Sequence, residues 1–264
     1  MEKAVEFARV GVHFAAPRGG RHSVLRDVSL EIAEGTFVAI VGPSGCGKST
    51  LLNLAAGLLA PADGGVRVFG ESLGGINRHA GYLFQQDALL PWRTVLDNVR
   101  LGLDFRRVAP AEAIAKARSF IARVGLAGFE DRFPYQLSGG MRKRVAIAQS
   151  WIVEPRILLM DEPFAALDVQ TRQHMENELL GLWQESRKTV LFVTHDLEEA
   201  IALADRVVVL TVGPARVKGV YDIDLPRPRD VAEIRLQSDF IALYRRIWSD
   251  LRDEVRHAFA TGER

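Results

Sequence analysis

The chemistry of this chain concentrates in Gly42-Pro43-Ser44-Gly45-Cys46-Gly47-Lys48-Ser49, followed by Thr50. The stretch fits the pattern G-x-x-x-x-G-K-[ST], in which glycines let the backbone wrap closely round a phosphate and successive N–H groups face the anion. Lys48 is then expected to reach the outer phosphates, and Ser49 to place its hydroxyl on Mg²⁺. A second candidate is Asp161-Glu162 at the end of the apolar run Ile157-Leu158-Leu159-Met160. Taken alone, such a pair reads as solvated acids capping a strand. Beside a phosphate loop, Asp161 is suited to holding Mg²⁺ and Glu162 to polarising an attacking water.

These groups need a scaffold that delivers them to one edge, and the hydrophobic pattern supplies it. Phe37-Val38-Ala39-Ile40-Val41 is continuously apolar and predicts a buried strand just before the loop; Leu51 to Ala56, closed by Gly57 and then Pro61, predicts a short helix just after it. Val28, Leu30 and Ile32 alternate ahead of the turn Glu34-Gly35, and Asp63-Gly64-Gly65 leads into a strand at Val66 to Phe69. Apolar strands return at 157–160, 189–193 and 206–210, separated by helical stretches at 170–185 and 197–204. Fully apolar strands alternating with helices predict an α/β fold whose parallel sheet is covered on both faces.

The middle third differs. Pro110 opens a helical pattern through Ile114, Ala117, Ile121 and Val124 to Gly125, and a second helix runs from near Ser138 to Ile152 before Pro155. We therefore expect a helical insert at about 87–155 within a nucleotide-binding domain of residues 1–222. Phe240, Tyr244, Ile247, Trp248, Leu251 and Val255 then predict a helical tail within 223–264, packed on its own domain.

The discriminating motif is Leu137-Ser138-Gly139-Gly140-Met141, at the start of a helix in the insert. It resembles the signature of the ATP-binding-cassette (ABC) family. Phe84-Gln85-Gln86 is similar to that family's glutamine loop, Ala165-Ala166-Leu167-Asp168 to its aspartate loop, and Val193-Thr194-His195-Asp196 to its histidine switch. The resemblance covers nearly the whole chain and implies a phosphate-loop ATPase fold of the ABC type, with a mostly parallel core, an antiparallel β subdomain and an inserted helical subdomain. It implies ATP and Mg²⁺ as ligands, with Ser49, Gln85 and Asp161 at the metal and Glu162, His195 and Gln85 in catalysis. Phe14, at the end of the first strand, sits where the family stacks an aromatic on adenine; its plainer reading is ordinary core. Ser138, Gly139, Gly140 and Asp168 would address the nucleotide of a second copy, so that two ATP molecules lie between two subunits. Ser138 also suits an N-cap, and the two glycines leave that helix end open.

Met141 stands where many members carry glutamine, and Ala165 where serine or glycine is usual. The methionine variant, Leu89-Leu90-Pro91-Trp92 and Leu225-Pro226-Arg227-Pro228-Arg229-Asp230 are similar to the nitrate/sulfonate/taurine importer group. That resemblance implies two permease subunits as partners, a solute-binding protein at one remove, and a peripheral place on the cytoplasmic face of the membrane. Trp92 beside a proline turn suits a groove for a membrane subunit; a loop folded on its own insert is the alternative.

Composition bounds the rest. Among 264 residues, 34 Lys and Arg face 33 Asp and Glu, a net charge of +1 that gives no general reason to expect nucleic acid. Cys46 is the sole cysteine, and no Cys/His cluster has zinc spacing. Met1 to Arg9 lacks the apolar core of a signal peptide, and no apolar stretch approaches the ~18 residues of a membrane span. A cassette ATPase acting on DNA or ribosomes would usually carry two cassettes or a coiled-coil insert, and a small phosphate-loop kinase would not explain the Leu-Ser-Gly-Gly helix.

Overall fold

Four neighbouring parallel strands, each ending in one of the motifs above, form the centre of the computed structural model, which describes residues 2–15 and 20–261. In chain order the elements are β1 (Lys3–Ala15), β2 (Arg21–Ala33), β3 (Phe37–Val41), α1 (Lys48–Ala56), β4 (Asp63–Val68), β5 (Glu71–Ser72) and β6 (Ala80–Leu83). There follow α2 (Val95–Phe105), α3 (Pro110–Arg123), α4 (Gly139–Trp151), β7 (Ile157–Asp161), α5 (Val169–Ser186), β8 (Thr189–Val193) and α6 (Leu197–Leu203). The chain closes with β9 (Arg206–Leu210), β10 (Val217–Asp222), α7 (Val231–Ile234) and α8 (Ser238–Thr261).

The central sheet has the order β10-β9-β3-β8-β7-β6. Its strands from β9 to β6 pair in parallel, and β10 closes the edge antiparallel to β9. A second sheet, β2-β1-β4-β5, is antiparallel throughout. All five residues of β3 and of β8 are buried, as strands covered on both faces must be. On one face the core includes Phe37, Phe164, Phe192 and Trp183; the Phe37 and Trp183 rings meet edge-on at 5.7 Å. On the other face the antiparallel sheet and α1 pack through Val5, Phe7, Val28, Ile32, Leu51, Leu52 and Leu54. Leu25 of β2 also bridges Ala215, in the connection between β9 and β10.

Between β6 and β7, α2, α3 and α4 enclose a core of their own, built on Val95, Val99, Ala117, Ile121, Val145 and Ala148. α3 begins on Pro110 and ends just before Gly125, whose φ of 68° suits only glycine without strain. Beyond β10 the segment Leu225–Asp230 lies against the end of α6. Arg229 donates to the carbonyls of Ile201, Ala202 and Ala204, and also to those of Ile223 and Leu225. Arg227 pairs with Asp205 at 2.7 Å and lies over the Trp183 ring. Strands β6 and β10 and helices α2 and α7 are elements that periodicity alone left undefined. No described helix is long and apolar enough to cross a membrane.

Candidate nucleotide site

Parallel pairing decides where the chemistry goes. Strands β3, β8, β7 and β6 lie side by side and point the same way, so the segments that follow them emerge at one sheet edge. β3 delivers the phosphate loop, β8 delivers Thr194 and His195, β7 ends on Asp161 and hands over to Glu162, and β6 leads into Gln85. Backbone bonds lock this edge: Thr194 N donates to Ile40 O, and Glu162 N to Val193 O.

The loop from Gly42 to Gly47 has the backbone that its glycines permit. Gly45 and Gly47 have φ of 77° and 105°, and a Cβ on Gly47 would meet Leu25 and Val24 at 2.8 and 2.9 Å. Helical bonding in α1 begins only with Leu51 N to Gly47 O, and no side chain caps the helix. The N–H groups of Lys48, Ser49 and Thr50 therefore precede the first helical bond, as an anion-binding helix end requires. Lys48 is buried and folds back along the loop, donating to the Gly42 and Pro43 carbonyls at 2.9 Å each. These contacts keep its ammonium at the mouth of the loop. Cys46 contributes backbone only. Its side chain is buried, with Sγ 2.9 Å from where a Gly42 Cβ would stand, and burial pushes the thiol pKa up.

Across the loop, Ser49 Oγ donates to Asp161 Oδ1 at 2.9 Å. Burial raises the Asp161 pKa, Glu162 adds to that, and the Ser49 hydrogen bond and Lys48 oppose it. His195 Nδ1 donates to Glu162 Oε2 at 3.0 Å. Glu162 has a φ of 42°, an uncommon conformation for a non-glycine residue and one that recurs at functional sites. A cleft of about 470 Å³ joins Phe14, Ser44, Gly45, Gly47, Lys48, Ser49, Thr50, Gln85 and Glu162. Phe14 is 44% exposed at its rim rather than buried in a core.

The signature segment stands apart from this cleft. Ser138 caps α4, its Oγ accepting from Met141 N, and the first backbone bond of the helix is Arg142 N to Ser138 O. Ser138 and Gly139 are exposed and Gly140 is half-buried, so the helix start is bare of side chains beyond Ser138. Asp168 caps α5 by accepting from Thr171 N, which holds its carboxyl below the usual range.

A model described as ABC transporter matches residues 25–165. An uncharacterized ABC transporter ATP-binding protein of Methanocaldococcus jannaschii is 51% identical over 90% of this chain and 87% of its own length. This chain belongs to the ABC transporter family. A taurine import ATP-binding protein of Yersinia pestis is 48% identical over 73% of this cassette and 76% of its own length. Among solved structures, a dimeric post-hydrolysis ATP-binding cassette bound to ADP and Pi has a TM-score of 0.74 at 32% identity. A dimeric bacterial ABC transporter cassette scores 0.75, and each covers 84% of this chain over its own full length. This cassette binds ATP and is an ATPase.

Three residues tie its parts together that sequence reasoning did not single out. Lys143, buried in α4, donates to the Gln85 carbonyl at 3.1 Å and pairs with Asp87 at 2.9 Å, so the signature helix holds the glutamine loop. Arg172 bridges Leu167 O and Asp196. Glu199, buried behind Thr194, has its carboxyl pushed up to about 8, first by burial and then by Glu176 and Asp196. Lys143 and Glu199 left one trace in the sequence, a charge on the apolar side of a helical pattern.

Proposed function

We propose that this cassette energises a bacterial importer for a small anionic or zwitterionic solute of the sulfonate, taurine or nitrate kind, or for a pyrimidine precursor. Two copies sandwich two ATP molecules and drive two permease subunits, with a solute-binding protein upstream. Residues 1–222 would act as the nucleotide-binding domain, with its helical insert at about 87–155, and 223–264 as a helical tail. Its place is peripheral, on the cytoplasmic face of the membrane, and it has no nucleic-acid partner. The identity with a taurine import protein supports the solute class, and the dimeric cassettes support the pairing.

The observation that carries the mechanism is the glycine-opened start of α4, set apart from a cleft that already holds the phosphate loop, Gln85 and Glu162. One chain leaves both halves of a phosphate site unpaired; a second copy, set head to tail, completes each. In that assembly Phe14 stacks on the base. The loop from Gly42 to Thr50 wraps the phosphates, and Lys48 swings from the Gly42 and Pro43 carbonyls to the outer ones. The partner's Ser138, Gly139 and Gly140 close the far side, with Asp168 at the seam. The Glu162 carboxylate accepts the proton of the attacking water, and His195 steadies the γ-phosphate while its Nδ1 keeps Glu162 aimed.

Mg²⁺ fits Ser49, Gln85 and Asp161, an all-oxygen donor set in which Ser49 and Asp161 already touch. Among the described residues no cluster of three His, Cys, Asp or Glu side chains could hold a metal by itself, so phosphate and water oxygens would complete the shell. The ion supplies neutralisation of charge on the phosphates. The groove between the glutamine loop and the insert, lined by Tyr82, Phe84, Ala88, Leu101, Phe105 and Val153, receives the permease, with the 72% exposed Trp92 close by in sequence.

Glu162→Gln keeps the shape of the site while removing the base, so it should bind ATP and accumulate a dimer. Size-exclusion chromatography with ATP and Mg²⁺ reads this directly. A Glu162→Gln protein that binds ATP yet elutes only as monomer refutes the sandwich.

A further inference from the structure

We propose that Arg172 is a positioning residue that couples the aspartate loop to His195, resting on the role given to His195 above. One guanidinium nitrogen donates to the Leu167 carbonyl at 3.1 Å, inside the aspartate loop, and another meets Asp196 Oδ2 at 3.3 Å, one residue past His195. Each oxygen of Asp196 is committed. Oδ1 accepts from Glu198 N and Glu199 N and so starts α6; Oδ2 takes Arg172.

The segments 162–168 and 194–196 are thus joined twice, directly through Glu162 and His195 and again through Arg172. With both links in place, a shift of the aspartate loop carries Asp196, and with it the backbone that aims His195. Without Arg172 the His195–Glu162 contact is the side-chain link left to carry that shift.

The placement of Arg172 argues against a plain surface ion pair. It lies in the first turns of α5, where the helix dipole disfavours a cation. Thr171 beside it leaves no room for a side chain on the signature's Gly140, where a Cβ would stand 2.9 Å from Thr171 Cγ2. The start of α5 is therefore where the aspartate loop, the histidine segment and the bare end of α4 come together. Behind it, buried Glu176 pairs with Arg235 at 3.0 Å, and buried Glu199 lies behind Thr194, so the charge of Arg172 also faces acids on α5 and α6.

The experiment compares steady-state ATP hydrolysis and melting temperature for Arg172→Ala, Arg172→Lys, Asp196→Asn, the Arg172→Ala/Asp196→Asn double variant and His195→Ala. Asparagine at 196 still caps α6. The expected result is a kcat at least tenfold lower in Arg172→Ala with KM for ATP within threefold, partial recovery in Arg172→Lys, and a double variant no worse than the worse single one. An unchanged kcat in Arg172→Ala, or losses that multiply in the double variant, overturns the coupling. So does a kcat loss that Arg172→Lys fails to recover. Should Arg172→Ala not fold, Arg172→Lys and Asp196→Asn decide, each expected to lower kcat with KM held. A dead His195→Ala beside a fully active Arg172→Ala overturns this inference alone. A fully active His195→Ala overturns the role of His195 beneath it.

Discussion

Glu199→Gln should have almost no effect on stability in mild acid and should stabilise the protein in mild alkali. Glu199 is 4% exposed, and its carboxyl is pushed up to about 8 from the usual 4.5. Burial is the main cause; Glu176 and Asp196 add to it, while the Thr194 hydrogen bond and Arg172 pull the other way. Between pH 4.5 and 8 the folded protein keeps this proton and the unfolded chain has lost it. Stability from this group therefore falls as pH rises, by about 1.4 kcal/mol per unit. From pH 6 to 8, with the folded carboxyl half ionised by the upper end, that amounts to about 2 kcal/mol, or roughly 4–8 °C in melting temperature for a chain of this size. Glutamine keeps the shape and the neutral state but has nothing to ionise. Thermal and urea unfolding followed by circular dichroism at pH 5, 6, 7, 8 and 8.5 should show the two proteins nearly equal at pH 5. By pH 8.5 the variant should lead by about 4 kcal/mol. A gap that stays the same at pH 5 and pH 8.5 would refute an elevated Glu199.

Lys48→Ala removes the single ammonium at the mouth of the phosphate loop, so ATP affinity measured by calorimetry should fall at least ~30-fold, about 2 kcal/mol or more; undiminished affinity contradicts its assignment. Gly47→Ala must hold a φ of 105° with its Cβ against Leu25 and Val24. It should lose about 1–3 kcal/mol of stability and weaken nucleotide binding as the loop shifts, which differential scanning fluorimetry with and without ATP would check. Trp92→Glu acts at a 72% exposed position. Its melting temperature and basal ATPase rate should stay at the wild-type level while the tagged protein leaves the membrane fraction of its host; retention there would move the permease contact elsewhere.

The elements nearest the chemistry were legible because their signals are local. Phe37 to Val41 is apolar at every position since both faces of β3 are covered, and the glycines at 45 and 47 announce a backbone that only glycine adopts cheaply. The missed elements carry weaker patterns. β6 is four residues long with mixed exposure, and β10 is an edge strand with exposed positions, so neither leaves an unbroken apolar run. Leu225 to Asp230 resembled the segment of a related importer group without revealing what it does; the structure gives it work as a clamp on the end of α6, with Arg229 meeting five carbonyls.

Long-range polar contacts account for the remainder. Lys143 and Gln85 are 58 residues apart, and no spacing rule links a lysine inside a basic run to a loop carbonyl on another element. Cys46 shows the same limit at short range. Its position within the phosphate loop suggests a thiol that ATP would shield. A loop whose N–H groups turn toward an anion must turn some of its side chains the other way, and Cys46 is one of these: it is 2% exposed, with a raised thiol pKa. A low thiolate fraction and poor access both predict slow maleimide labelling with or without nucleotide. The direction a loop side chain faces follows from which way its backbone amides point, and that in turn follows from the helix the loop feeds.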